Sequence, residues 1–180
     1  YYSAPSLVLR RFGWLEEAFR ATNTRVRWIH SQGSNRALEF LNSGSVDFGS
    51  TAGLAAVLSK ANGNPIKSVY VFSRPEWTAL LVAKDSPIKS LKDLKGKKIA
   101  LNKGSNVHYL LVRVLEQHGL KITDVQPVYL APADGRAAFD SKNVDAWVIW
   151  DPFQAAAEKA TGARVLADGT GVVNNYQYYL

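Results

Sequence analysis

From Ser6 onward, stretches with the three-to-four-residue apolar spacing of helices alternate with short apolar runs of strand length. No other feature constrains the fold as much. A strand and its following helix must each bury an apolar face against the other, so a chain of such units packs as a layered α/β structure with mainly parallel sheets. The units form two series. In the first, "SLVLRRFGWLEEAFR" places Leu9, Phe12 and Leu15 on one helical face, and "RVRWIH" alternates like a strand. "SNRALEFLNSG" predicts a helix ended by Gly44, "SVDFGS" a strand and "TAGLAAVLSKANG" a helix of small residues. After the "NGNP" turn, "PIKSVYVFS" reads as a strand.

The second series opens with the strongly apolar strand "WTALLVA". A short helix "SLKDL" follows with Ser90 as its cap, then the strand "KKIAL" and a helix "SNVHYLLVRVLEQHG" stopped by Gly119. In "VQPVYL", Pro127 lacks the N–H that a central strand would need, which puts this strand at an edge. Helix "ADGRAAFDSK", strand "VDAWVIW", helix "PFQAAAEKATG", strand "ARVLA" and a last strand "YQYYL" complete the order. "RALEFLNSGSVDFG" and "RAAFDSKNVDAW" echo each other faintly, as two similar α/β lobes would.

Composition narrows the function classes. Apolar residues at 47% and charged residues at 21% are ordinary for a globular chain. No apolar run approaches the roughly 18–20 residues of a membrane-spanning helix, so no direct membrane insertion is expected. The chain opens without a charged, then apolar, then small-residue segment, so no signal peptide is visible, and a mature chain would read the same way. There is no cysteine, which excludes disulfides, thiolate nucleophiles and cysteine–zinc sites. The three histidines, His30, His108 and His118, lack metal-site spacing, so neither a metal nor a cofactor is expected. The net charge of +7 favours either nucleic acid or small anions. Lys84, Lys89, Lys92, Lys95, Lys97 and Lys98 crowd together, but no aromatic residues interleave with them, which argues for a solvated surface and against nucleic acid.

In parallel α/β sheets, ligands sit beyond the carboxyl ends of the strands, where a turn leads into a helix. Four such turns are rich in small or hydrogen-bonding residues: "HSQGSN", "GSTAG", "NKGSNVH" and "WDPF". The first N–H groups of a helix have no intrahelical acceptor, and the helix dipole adds partial positive charge there. Small residues let an anion approach those groups, and Ser or Thr hydroxyls add donors. Plain N-capping explains any one turn equally well. Facing turns from two lobes describe a cleft that surrounds an anion with neutral donors.

Individual residues keep two readings each. His108 either donates to an anion in such a cleft or packs in its helix face. Asp151 either steadies a neighbouring donor or caps the helix after Pro152. Trp147 and Trp150 lie on opposite faces of one strand, Trp147 as core and Trp150 as a wall for an alkyl group. His118 suits the helix C-terminus, and His30, without an acid partner, has no catalytic task. Asp47 and Asp145 each fix the turn before a strand. No nucleophile elbow, Walker sequence or dinucleotide fingerprint is present, so no catalytic residue is assigned and no enzyme is expected.

"LNKGSNVHYLLVRVLEQHGL", "PADGRAAFDSKNVDAWVIWDPFQAAAE", "GSNRALEFLNSGSVDFGSTAG" and "DSPIKSLKDLKGKKIALNKGSN" together resemble the aliphatic sulfonate-binding proteins that feed bacterial ABC importers, within the class II periplasmic binding protein fold. The resemblance spans nearly the whole chain; "KGSNVHYLLVR" and "VDAWVIWDP" are its most specific parts. It implies two α/β lobes joined by crossing strands and a sulfonate held by helix N-termini. It also implies a permease as partner and a place in the periplasm or tethered to the outer face of the cytoplasmic membrane. The contacts it implies are Tyr2 and Ser3, then Gln32 and Gly33, then Ser50, Thr51 and Ala52, from the first lobe. From the second come Gly104, Ser105, Asn106 and His108, with Trp150 and Asp151 closing the far side.

The chain departs from the family where "STAGLA" replaces "DTPP"-like residues, which leaves taurine, a sulfate ester or nitrate as alternative ligands. Relatives also begin one strand earlier and continue past the second crossing. The resemblance therefore implies a first lobe at residues 1–81 that is incomplete, a second lobe at 82–175 and a return hinge strand beginning at 176–180. Two other classes share this fold. LysR-type effector domains sense small molecules but carry a helix-turn-helix, and pyrimidine-synthesising proteins need reactive histidines or cysteines.

Overall fold

The computed structural model describes residues 3–74, 76–173 and 175–180. The amphipathic opening stretch is two helices, α1 (Ala4–Phe12) and α2 (Trp14–Ala18). Gly13 adopts φ 66° between them, a left-handed conformation that ends α1 and re-aims the chain. Then follow α3 (Ser34–Asn42), β1 (Ser50–Ala52), α4 (Gly53–Ala61), β2 (Tyr70–Ser73) and β3 (Thr78–Val82). A 3₁₀ turn at Leu91–Leu94 precedes β4 (Lys98–Leu101), α5 (Asn106–Gln117), β5 (Gln126–Tyr129) and α6 (Pro132–Asp140). The chain continues with β6 (Ala146–Trp150), α7 (Phe153–Thr161), β7 (Arg164–Asp168) and β8 (Gln177–Tyr179).

Two sheets result. The larger has the order β5-β4-β6-β3-β7, and the smaller β1-β8-β2. In the larger sheet β4 pairs parallel with β5 and β6, while β3 pairs antiparallel with both β6 and β7. Four of its five strands thus point one way, and β3 alone runs against them. In the smaller sheet β8 pairs antiparallel with β1 and with β2, so β8 is again the opposed strand. The larger sheet is therefore mixed and the smaller wholly antiparallel, and each contains one strand whose preceding neighbour in sequence belongs to the other sheet. Strands linked by helices keep the parallel sense expected from sequence, and the two crossing strands do not. Pro127 lies in β5, at the edge of the larger sheet, as its missing N–H requires.

Most of the core belongs to the larger sheet. Leu80, Leu81, Val82, Ile99, Leu110, Leu111 and Leu115 are fully buried, and β3 and β6 are buried along their whole length because helices cover both faces. Burying each such Leu, Ile or Val stabilises the fold by about 1.5–3 kcal/mol. Trp147 is inside this cluster, over Gly135 and beside Phe139, as its strand face predicts. The smaller sheet's cluster holds only Leu38, Ala55 and Leu180, with Leu41, Ala56, Ile66 and Tyr178 packed on it. Leu7, Phe12, Trp14, Phe48 and Val57 on that side are exposed.

Three expected strands differ. Residues 25–30 form no strand, "SVDFGS" yields one only at Ser50–Ala52, and "PIKSVYVFS" only at Tyr70–Ser73. A strand exists by pairing, and the shared partner of β1 and β2 is β8, three residues long. Each strand therefore forms only where it meets β8, whatever the flanking sequence favours. Elsewhere local chemistry prevails. Ser90 and Asp93 form a capping box, with Asp93 Oδ2 accepting from the N–H groups of Lys89 (2.9 Å) and Ser90 (2.8 Å). Lys84, Lys89, Lys92, Lys95 and Lys98 are exposed, as expected of a solvated surface.

Candidate functional site

The order of the larger sheet creates a crevice. From β4 the chain leaves through α5 outward to β5, whereas from β6 it leaves through α7 toward the opposite edge, to β7. Adjacent strands whose exits diverge leave an opening beyond their carboxyl ends. The turns at that opening are residues 102–105 and 151–152, two of the four marked in the sequence. The N-terminus of α3 faces them and ties all four together. Asn35 Nδ2 donates to Lys103 O at 2.7 Å. Ser34 Oγ accepts from Ala52 N at 2.9 Å. A Cβ on Gly33 would lie 3.7 Å from the Trp150 ring and 3.8 Å from Asn102 Oδ1. Gly33 itself has φ 136°, a conformation open to glycine, so the close approach of this backbone to Trp150 depends on that residue.

The turns differ in what they have to offer a ligand. At the start of α5, Ser105 is fully buried and its hydroxyl donates to Asn102 O at 2.8 Å, which fixes the turn and not a ligand. Asn106 is 7% exposed, yet its Nδ2 has no hydrogen-bond partner; Asn102 Oδ1 is likewise buried and unpartnered. Buried polar atoms are normally satisfied, so a bare amide donor at a helix start is a feature that requires explanation. The "GSTAG" turn is more committed. Ser50, Thr51 and Ala52 pair with β8, Ala52 N–H serves Ser34, and Gly53 N–H donates to Tyr176 O at 3.0 Å. Asp151 Oδ1 accepts from Ala155 N at 3.1 Å, so its carboxylate caps α7. Trp150 is buried against Gly33 and Phe153, as a wall of the crevice. Ser3 is buried at the start of α1 with its hydroxyl unpartnered, and Tyr2 lies outside the described residues.

His108 sits on the first turn of α5. Its Nδ1 accepts from Gly104 N–H at 3.2 Å, which places the proton of the neutral ring on Nε2. The Tyr129 ring lies edge-on 5.7 Å away, and Lys103 Nζ sits 5.2 Å over that same tyrosine. Burial, and secondarily the Lys103 charge, hold the imidazole below its ordinary value. His108 is therefore a neutral donor at physiological pH. His118, at the other end of the helix, points Nδ1 at Val114 O, 2.9 Å away. Asp145 Oδ2 accepts from Lys98 N at 2.8 Å and fixes the turn before β6.

An open groove of about 410 Å³ leads from this point outward, lined by Gln32, Asn35, Arg36, Lys103 and Tyr129 among others. Asn35, Ser34 and Asn102 are the residues missed in the sequence. Each stands at a strand end or in the first turn of a helix, and that position alone would have flagged them. Among the described residues no group of three or more histidines and carboxylates gathers as a metal site, and no helix is long and apolar enough to cross a membrane.

Comparison with known proteins points the same way as the crevice. A model of the NMT1/THI5 like family matches residues 11–180. A putative aliphatic sulfonates-binding protein of Escherichia coli is 46% identical over 162 residues, 89% of this chain and 51% of the relative. The solved periplasmic aliphatic sulphonate binding protein SsuA from Escherichia coli superimposes with a TM-score of 0.82 at 43% identity, covering 97% of this chain and 60% of that one. The alkanesulfonate-binding protein SsuA from Xanthomonas axonopodis pv. citri, bound to MOPS, gives 0.85 at 37% identity, covering 97% and 61%. The chain spans about half the length of the curated relative it matches.

Proposed function

Because the chain belongs to the NMT1/THI5 like family, we propose that its crevice captures an alkyl sulfonate for an ABC importer. The observation that carries this reading is the unpartnered Nδ2 of buried Asn106 at a helix start where four turns meet. A sulfonate is ionised at any physiological pH and has no proton to give, so it asks for donors only. The crevice supplies neutral ones: the leading N–H groups of α5 and α3 and Asn106 Nδ2, with His108 holding the turn at Gly104. Charge-assisted bonds to an anion are about twice as strong as neutral ones, and no buried cation has to be paired when the ligand is gone. Gln32, Gly33, Gly104, Ser105 and Trp150 shape the site around those donors. Ser50, Thr51, Ala52 and Asp151 support it, since their own groups serve β8, Ser34 and α7.

In this reading residues 1–81 and 82–175 are the two lobes, β3 is the outgoing crossing and β8 the return. The ligand-loaded state is presented to a permease on the outer side of the cytoplasmic membrane. The relatives' names support aliphatic sulfonates over nitrate or sulfate. Calorimetry with pentanesulfonate, taurine, sulfate and nitrate tests it. Saturable heat with pentanesulfonate is expected, and saturable binding of nitrate or sulfate with none for any sulfonate overturns the assignment.

A further inference from the structure

One peptide plane near the crevice is held from both sides. Between Lys103 and Gly104, the carbonyl oxygen accepts from Asn35 Nδ2 at 2.7 Å, while the N–H of the same peptide donates to His108 Nδ1 at 3.2 Å. Asn35 belongs to α3, on the side of the smaller sheet; Lys103, Gly104 and His108 belong to the larger. We infer that His108 is a positioning residue: by accepting at Nδ1 it orients the Lys103–Gly104 peptide, and so holds the hydrogen bond that spans the crevice. Protonation of the imidazole fills Nδ1 with a second donor, directed at the Gly104 N–H. Two donors cannot share that line, and the peptide turns. Gly104 has φ 73°, and a Cβ there would meet nothing within 4 Å, so the glycine is present for its backbone freedom and not for lack of room. A turned peptide swings the Lys103 carbonyl away from Asn35 and releases the contact.

The surroundings of His108 make it the responsive group. Tyr129 faces it from β5, and Lys103 approaches from the preceding turn. Arg36 and Glu39 of α3 line the same groove as Lys103, and they pair with each other. Of the elements packed on α5, β3 and β6 carry no titratable side chain. α4 carries only Lys60, in its last turn, and the turn that follows the far end of α5 carries Asp124. No carboxylate among these is bonded to the imidazole to offset its proton.

This inference uses the sulfonate reading for one of its two readouts, and the two roles of His108 then differ in sign. A histidine that only touches the anion becomes a cation in acid and tightens binding. A histidine that holds the peptide loosens it. Affinity for pentanesulfonate, whose own charge is constant, is measured by calorimetry from about pH 8 to about pH 4.5. The loss of one neutral hydrogen bond predicts a weakening of about fivefold in acid. His108→Asn, which keeps an acceptor at the Nδ1 position without a titrating group, flattens the profile. Asn35→Ala weakens binding at the alkaline end and also flattens it. In ligand-free protein, NMR follows the Gly104 amide and the Asn35 side-chain amide, which shift together at the His108 midpoint. Binding that tightens in acid, an unaltered slope in His108→Asn, or amide signals that ignore the His108 midpoint overturns the inference. If no sulfonate binds at any pH, the ligand assignment fails and the amide titration alone decides the switch.

Discussion

Replacing Asn106 by leucine separates binding from folding, because the structure gives the two effects opposite signs. Asn106 is 7% exposed and its Nδ2 has no partner in the protein. An unsatisfied buried donor costs about 1–3 kcal/mol of stability in the ligand-free state. Leucine has the same branching and no polar atoms, so it removes that cost. Its methyls are somewhat larger than the amide, and overpacking returns up to about 1 kcal/mol of the gain. The net expectation is a ligand-free protein more stable by about 1 kcal/mol, a rise in melting temperature of about 2–4 °C for a chain of this size. Binding moves the other way. A hydrogen bond to a charged group contributes about 1.5–3 kcal/mol, so pentanesulfonate affinity falls by about 10–150-fold. Thermal melts followed by circular dichroism, without ligand, and calorimetry with pentanesulfonate measure the two quantities on one preparation. A melting temperature several degrees below wild type means that Nδ2 has an internal partner and is no spare donor. Affinity within a factor of about two of wild type means that the anion lies elsewhere.

Two further perturbations test the frame around the site. Gly135→Ala places a Cβ 2.8 Å from Trp147 Nε1, and Trp147 is 1% exposed with nowhere to retreat. Overpacking of about 1–3 kcal/mol should lower the urea midpoint at constant slope, and an unchanged midpoint would show that α6 can shift freely over β6. Asp93 is held below the ordinary carboxylate range by the Lys89 and Ser90 N–H groups and then by the Ser90 hydroxyl. A depressed folded value means stability that is present above the unfolded value, about 3.9, and lost as pH falls through the folded one. Asp93→Asn should therefore be less sensitive to acid than wild type in melts taken below about pH 4; an identical acid slope removes the capping box from the account.

The larger sheet was legible because its signals are local. β6 is a continuous apolar run, β3 and β4 are apolar after their first residue, Pro127 marks the edge, Gly119 ends α5, and Ser90 caps the turn before β4. None of these depends on a distant partner. The smaller sheet was less legible for the opposite reason. Residues 25–30 alternate as a strand should, yet they form none, and β1 and β2 shrink to what β8 can pair. Strand direction divides on the same ground: helix-linked strands are parallel, as read, whereas β3 and β8, which follow a strand of the other sheet, run against their neighbours. A linear pattern records what a segment prefers and not what lies beside it.

The site shows where that limit matters most. All four turns were visible as small, polar helix starts, and α3 does bring them together through Gly33, Ser34 and Asn35. Sequence could not say which donors were already spent. Ala52 and Gly53 donate to Ser34 and Tyr176, Ser105 to its own turn, and Asp151 accepts from α7. Each offers a polar group at a helix start, and each is occupied with holding the crevice in shape. Asn106 Nδ2, at the same kind of position, is not. A cap and an anion donor are thus the same residue type in the same place, distinguished only by whether an internal partner has reached it first. Partner reach is a property of tertiary geometry, and His108 adds a third outcome. Its acceptor nitrogen is spent on the turn, and the peptide it holds is the one that Asn35 reaches across the crevice.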